Sequence, residues 1–311
     1  MIPPPPPILS VSLVTFLHYN REPDIISEVT PFPMRFHLLL PTVVLALVSA
    51  LPALAAKPAP PAVLSQDAPV LSRGMNVPIL LYHRLGPTVA DGMTIKTTVF
   101  EEHLKYLREN GYTVIPLRQV VDFYLKKGPA PAPKSVVIVE DDAHKSVYSD
   151  MLPLVKKYRV PVTVFVYPSA ISNAKYALTW DQIRELKKTG LFDFQSHTYW
   201  HPNFKKDRKK LKPAEFEKFV DMQLKKSKDK IEKELGGKVD LLAWPFGIYD
   251  DYLLKKAAEA GYVSTFTIER RHATPAESVT RLPRYLLINA DQGKAFAQIL
   301  AGTAPKRNVV Y

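Results

Sequence analysis

The feature that most constrains this chain is an alternation between two hydrophobic periods. From residue 77 onward, short apolar, β-branched runs occur at 77–83, 113–115, 135–139, 161–166, 192–196, 241–244, 263–267 and 282–288. Between them lie longer stretches, at 98–109, 117–127, 148–158, 180–189, 213–235, 250–260 and 293–300, with apolar residues at helical spacing. The first kind reads as buried strands and the second as helices. Strands separated by helices pair in parallel, because parallel neighbours need a crossover connection. About seven such alternations predict an α/β fold, a distorted (β/α)7-type barrel in a single domain. Parallel barrels gather their functional groups where strands run out at their C-terminal ends.

The residues ahead of the barrel read differently. Residues 1–33 open on Pro3 to Pro7, show no sustained periodicity and read as a disordered upstream extension. Met34-Arg35-Phe36-His37 begins a secretory signal over 34–55: a basic start, an apolar run of 17 residues from 38 to 54, and the A-x-A site Ala53-Leu54-Ala55. The competing reading is a membrane anchor. Pro41 and Pro52 interrupt a run already marginal for a bilayer, so no stable transmembrane span is expected. Residues 56–76 form a Pro/Ala-rich linker, 77–302 the folded domain and 303–311 a C-terminal tail. A periplasmic or secreted protein follows, with no nucleic acid as partner.

There are no cysteines. That excludes a thiol nucleophile, thiolate metal sites and a lipoprotein anchor; a domain of this size has a core large enough to do without disulfides. Net charge is +12, and residues 56–311 alone carry 40 basic against 27 acidic side chains, or +13. Much of the excess lies in 205–212 and the Lys-rich helix after it. Such a helix attracts anionic envelope polymers or lipid head groups, or is simply a solvated basic face.

Two short segments carry the chemistry. Glu140-Asp141-Asp142 ends one strand, and His197-Thr198-Tyr199-Trp200-His201 ends another. One carboxylate can bind a metal while its neighbour takes a proton from water whose pKa the metal has lowered from about 16 to near 7. Alone, an Asp-Asp pair reads equally as a helix cap, and H-x-x-x-H as two surface histidines. Together, Asp142, His197 and His201 make a facial set of one carboxylate and two imidazoles that leaves positions open for water and substrate. Zinc is the default ion; cobalt, nickel or iron also suit such donors. His83 ends the first strand and could protonate a leaving group. Pro245-Phe246-Gly247 is a tight turn whose backbone N–H groups could stabilise an oxyanion.

With these residues in place, the chain resembles the polysaccharide deacetylases, the NodB-homology domains of carbohydrate esterase family 4. The family's T-F-D-D-G motif maps onto Val139-Glu140-Asp141-Asp142-Ala143, its histidine motif onto 197–201, and its R-x-P-Y/F segment onto Ala243-Trp244-Pro245-Phe246. The usual C-terminal L-x-H is missing, since Leu287-Ile288 is followed by Asn289; the barrel instead opens with Leu80-Leu81-Tyr82-His83. That arrangement is similar to the branch containing poly-β-1,6-N-acetylglucosamine deacetylases, in which the early histidine is the acid. The resemblance implies Asp142, His197 and His201 as metal ligands, Asp141 as base, His83 as acid and the Phe246 N–H as oxyanion donor. Tyr82, Tyr199, Trp200 and Pro245 are the expected substrate contacts.

Three positions depart from the family pattern. Glu140 replaces an aromatic residue and adds a carboxylate that could raise the pKa of Asp141 or crowd the metal. Ala143 replaces a glycine, so a positive φ there is not cheap. The motif-three arginine is absent, and Arg284 is the candidate to orient Asp141 from the last strand. The expectation is an exported, metal-dependent hydrolase removing N-acetyl groups from an amino-sugar polymer such as poly-N-acetylglucosamine, chitin or peptidoglycan. Its rivals are an O-acetyl esterase with the same site and a polysaccharide-binding protein whose catalysis has decayed.

Overall fold

The computed structural model describes residues 76–307. The expected extension, the signal segment, all but the last residue of the linker and the end of the tail lie outside the described residues. The strands are β1 (Ile79–Tyr82), β2 (Arg84–Gly86), β3 (Thr94–Lys96), β4 (Thr113–Val114), β5 (Ser135–Asp141), β6 (Val162–Val166), β7 (Phe192–Ser196), β8 (Leu241–Ala243), β9 (Ser264–Phe266) and β10 (Tyr285–Leu286). The α-helices are α1 (Thr97–Glu109), α2 (Leu117–Tyr124), α3 (Leu152–Tyr158), α4 (Trp180–Lys188), α5 (Phe204–Arg208), α6 (Pro213–Leu235), α7 (Asp251–Glu259) and α8 (Lys294–Leu300). Among the described residues no helix is long and apolar enough to cross a membrane.

The main sheet runs β10-β1-β5-β6-β7-β8-β9, with β4 beside the start of β5, and every pairing in it is parallel. The single bridge Phe266↔Leu282 joins its two ends, which makes the barrel distorted rather than evenly closed. Side chains alternate between two buried clusters. Ile79, Leu81, Val137, Val139, Phe165, Leu241, Ala243, Phe266 and Leu286 fill the barrel's interior. Leu80, Tyr82, Val136, Ile138, Val164, Val166, Leu242 and Trp244 face the helix layer. Both faces are apolar because helices cover the outside, and this is why the strands read as continuous hydrophobic runs.

Three differences from the sequence reading have local causes. The helix expected over 148–158 begins as a π-turn, Val147–Met151, before α3. Pro153 has no N–H to donate one turn back, and its ring crowds that turn, so the backbone widens ahead of it. The last strand shrinks to Tyr285–Leu286, since Pro283 cannot donate to a ladder. The short parallel pair β2–β3 had no signal beyond three residues on either side.

Candidate metal centre and active site

Period-two alternation sets the site. On β5, Asp141 shares the inward parity of Val137 and Val139, whereas Glu140 shares the outward parity of Val136 and Ile138. Inside the barrel, Asp141 meets Arg284, which has the inward parity of Leu282 and Leu286. The guanidinium forks onto both carboxylate oxygens at 2.7 and 2.9 Å, and its Nε–H donates to the Thr267 carbonyl at 3.0 Å. Burial alone would raise the Asp141 carboxyl, but Arg284 and His197 outweigh it and hold it down to about 2. Asp141 is therefore ionised and its oxygens are fixed in direction.

His197 continues β7 and points inward. Its Nδ1–H donates to the Ala243 carbonyl at 2.8 Å, which leaves the Nε2 lone pair facing the cavity. His201 packs edge-on to His197 and to Phe246, both with centroids 4.7 Å away. Burial pushes His197 down to about 3 and His201 to about 4, so both rings are neutral donors at neutral pH. Asp142 Oδ1 lies 3.7 Å from His197 Nε2 and 3.6 Å from His201 Nε2. All three donor atoms fall within 4.8 Å of one another. That oxygen is buried and has no hydrogen-bond partner. A tetrahedral ion with bonds of about 2.0–2.1 Å needs donors about 3.3 Å apart, so the spacing and the orphaned oxygen both fit a divalent cation.

The loops that hold these three residues are strained. Asp142 (φ 86°), Ala143 (52°), Thr198 (65°), His201 (58°) and Phe246 (57°) account for five of the nine non-glycine residues with positive φ among those described. Such conformations persist only where the surroundings impose them. Two buried side chains grip the two loops that carry Asp142 and His201. Glu140 accepts from the N–H groups of Ala143 and His144 at 3.1 and 3.2 Å. Gln223 on α6 accepts from those of Tyr199 and Trp200 at 3.2 and 2.8 Å. At Gly247, a Cβ would come within 2.4 Å of Ile268, so only glycine lets the turn close against the cavity wall.

The cavity has a volume of about 180 Å³ and is lined by Asp142, His197, His201, Asp141, His83, Trp244, Phe246 and Gly247 and, unforeseen, by Arg84, Met93 and Ile268. It is below the usual 300–1,000 Å³ of drug-sized ligand sites, which suits a small substituent better than a whole sugar. His83 Nδ1 is buried without a hydrogen-bond partner. Burial lowers the His83 pKa, against the raising fields of Asp142 and Asp141. A larger cavity, about 410 Å³, lies at the strands' other ends beside Arg118, Gln195 and Asp240. Asp240 is already paired with Arg118 and Lys238, and Gln195 is hydrogen-bonded through both its oxygen and its nitrogen.

Several sequence expectations are corrected. Tyr82 does not reach the substrate side: it is fully buried among the helices, its ring against Phe100 and its O–H donating to His103 Nδ1 at 3.0 Å. Its outward parity with Leu80 was the signal. Pro245 is likewise buried and does not line the cavity. Glu140 turns to the outer face and does not line the cavity, and the pKa of Asp141 is lowered rather than raised. Arg284 meets Asp141 as expected of an orienting residue; it is fully buried behind the carboxylate and lines no part of the cavity, so it is not itself a substrate contact. Tyr199 is half-buried beneath Lys226, and Trp200 stands 51% exposed beside His201. His144 turns aside to Ser146 Oγ at 2.9 Å.

Residues 128–265 match the family model described as polysaccharide deacetylase. A Staphylococcus aureus protein named poly-beta-1,6-N-acetyl-D-glucosamine N-deacetylase is 27% identical over 198 residues, 62% of this chain and 68% of that one. Among solved structures, the Streptococcus pyogenes deacetylase PplD, in complex with acetate, is similar with a TM-score of 0.64 and 26% identity over 72% of this chain and 98% of that one. IcaB from Ammonifex degensii shares the fold, with a TM-score of 0.65 and 23% identity over 75% of this chain and 98% of that one.

Proposed function

We propose that the chain, whose residues 128–265 match the polysaccharide deacetylase model, hydrolyses the N-acetyl groups of a poly-β-1,6-N-acetylglucosamine-type polymer. The observation that carries this reading is the convergence of Asp142, His197 and His201 around a buried, unpartnered carboxylate oxygen, with ionised Asp141 alongside. Those three residues would hold a divalent cation, zinc by default. When bound, such an ion supplies Lewis acidity and water made acidic enough to attack at neutral pH. The cavity's size suits the acetamide group with the sugar left outside, and Trp200, one residue before His201, offers an exposed ring to it.

The remaining roles belong to the chain's own groups. Asp141, aimed by Arg284, takes the proton of the attacking water. The backbone N–H of Phe246 stabilises the oxyanion. His83 hands a proton to the departing amine nitrogen; burial lowers its pKa and so eases release of that proton, while the carboxylates of Asp142 and Asp141 oppose the shift. The signal-like segment at 34–55 supports export, and a purified periplasmic or secreted protein should begin at Ala56.

Acetate release from poly-N-acetylglucosamine oligomers, measured with and without chelator, tests the reading. Chelation should abolish release and added zinc or cobalt restore it. Asp141→Asn should lower kcat by about 10²–10⁴-fold, the usual worth of a general base. Release by Asp141→Asn at the wild-type rate, or faster release from an O-acetylated glycan than from the amide, would overturn it.

A further inference from the structure

We propose that Glu140 is a positioning residue for the metal centre: its carboxyl group holds the turn after β5 in the left-handed conformation that aims Asp142 at the two histidines. The proposal rests on the reading of Asp142, His197 and His201 as a cation site. Glu140 is fully buried, faces away from the barrel's interior and does not line the cavity. Its two oxygens take one N–H each, from Ala143 and His144. The residues they clamp, Asp142 and Ala143, are consecutive and both at positive φ, and neither is glycine. Consecutive turn residues of this kind turn their N–H groups towards one point, a concavity suited to an acidic group. Here the chain supplies that group itself. Around it, the Asp142 N–H donates to the Phe165 carbonyl at 3.1 Å, and the Ala143 carbonyl accepts from Leu178 N–H at 3.0 Å. Glu140 thus imposes the conformation that Ala143 resists, where glycine would adopt it unaided.

Cobalt(II) titration of the metal-stripped full chain, followed by its visible spectrum alongside thermal unfolding, tests this. Wild type should bind about one equivalent. Glu140→Leu should weaken binding by about 10- to 100-fold, the usual effect of losing a group that orients a ligand. Glu140→Gln, which keeps one acceptor, should fall between. Adding Ala143→Gly to Glu140→Leu should recover at least about half of the loss on a logarithmic scale, because glycine needs no clamp. Binding by Glu140→Leu within about twofold of wild type would overturn the proposal. So would an undiminished loss in the double variant, which would mean that Glu140 acts through its charge on the ion. If Glu140→Leu does not fold, Glu140→Gln with and without Ala143→Gly makes the same comparison. A wild-type chain that takes up no cobalt overturns the metal reading and this proposal with it. Wild-type uptake with an unaltered Glu140→Leu sinks only the latter.

Discussion

Asp141 and Arg284 lie 143 positions apart and form a forked pair sealed inside the barrel. Such a pair is a weak argument for stability, because both charges left water to make it, but a strong one for geometry. Removing one partner strands the other. Arg284→Ala should cost about 3–5 kcal/mol in denaturant unfolding and lower acetate release in the molecules that remain folded. Arg284→Lys keeps the charge but cannot fork; it should recover stability better than turnover. Equal recovery of both would remove the positioning role. Arg284 was nameable from sequence only as a candidate, because nothing local says which distant arginine will face a given carboxylate. Glu140 sits beside the acid pair in the chain, but strand alternation sends it to the other face.

At the scale of elements, the long helix α6 holds the backbone of the histidine loop through Gln223. Gln223 is fully buried and takes the N–H groups of Tyr199 and Trp200 inside the histidine loop. Gln223→Leu should leave the helix intact, strand two donors at a cost of about 1–3 kcal/mol, and weaken cobalt binding in a spectroscopic titration. Gln223→Glu, which preserves the acceptor oxygen, should restore part of the affinity. The elements themselves were readable: β7 and α6 were expected at 192–196 and 213–235, and the structure has them there. Strand ends were less exact, because a ladder stops where a neighbour stops pairing.

Protonation acts on the molecule as a whole, and a cation held by Asp142, His197 and His201 would do so too. His103 joins α1 to the barrel: it accepts from Tyr82 O–H and donates through Nε2–H to the Asp291 carbonyl. Burial pushes its pKa from 6.5 down to about 4. The folded state then binds fewer protons than the unfolded one, so stability held above about pH 6.5 is lost as pH falls towards 4, by up to about 3 kcal/mol. His103→Gln should flatten that slope in urea unfolding at a series of pH values; an unchanged slope would place the acid sensitivity elsewhere. A divalent cation at 100 times its dissociation constant should add about 2.7 kcal/mol, seen as a fall in Tm on adding chelator. What the sequence determined by itself was the alternation of elements, the parallel barrel and the segments that end at its mouth, because hydrophobic period and turn residues are local properties. It also held, in the parity of each strand, the outward fate of Tyr82 and Glu140. Only the tertiary structure decided that Arg284 meets Asp141, that Gln223 reaches the histidine loop, and that Asp142 and Ala143 are held at positive φ. Those depend on how the sheet curls and which helix packs over which loop, and no local pattern encodes that.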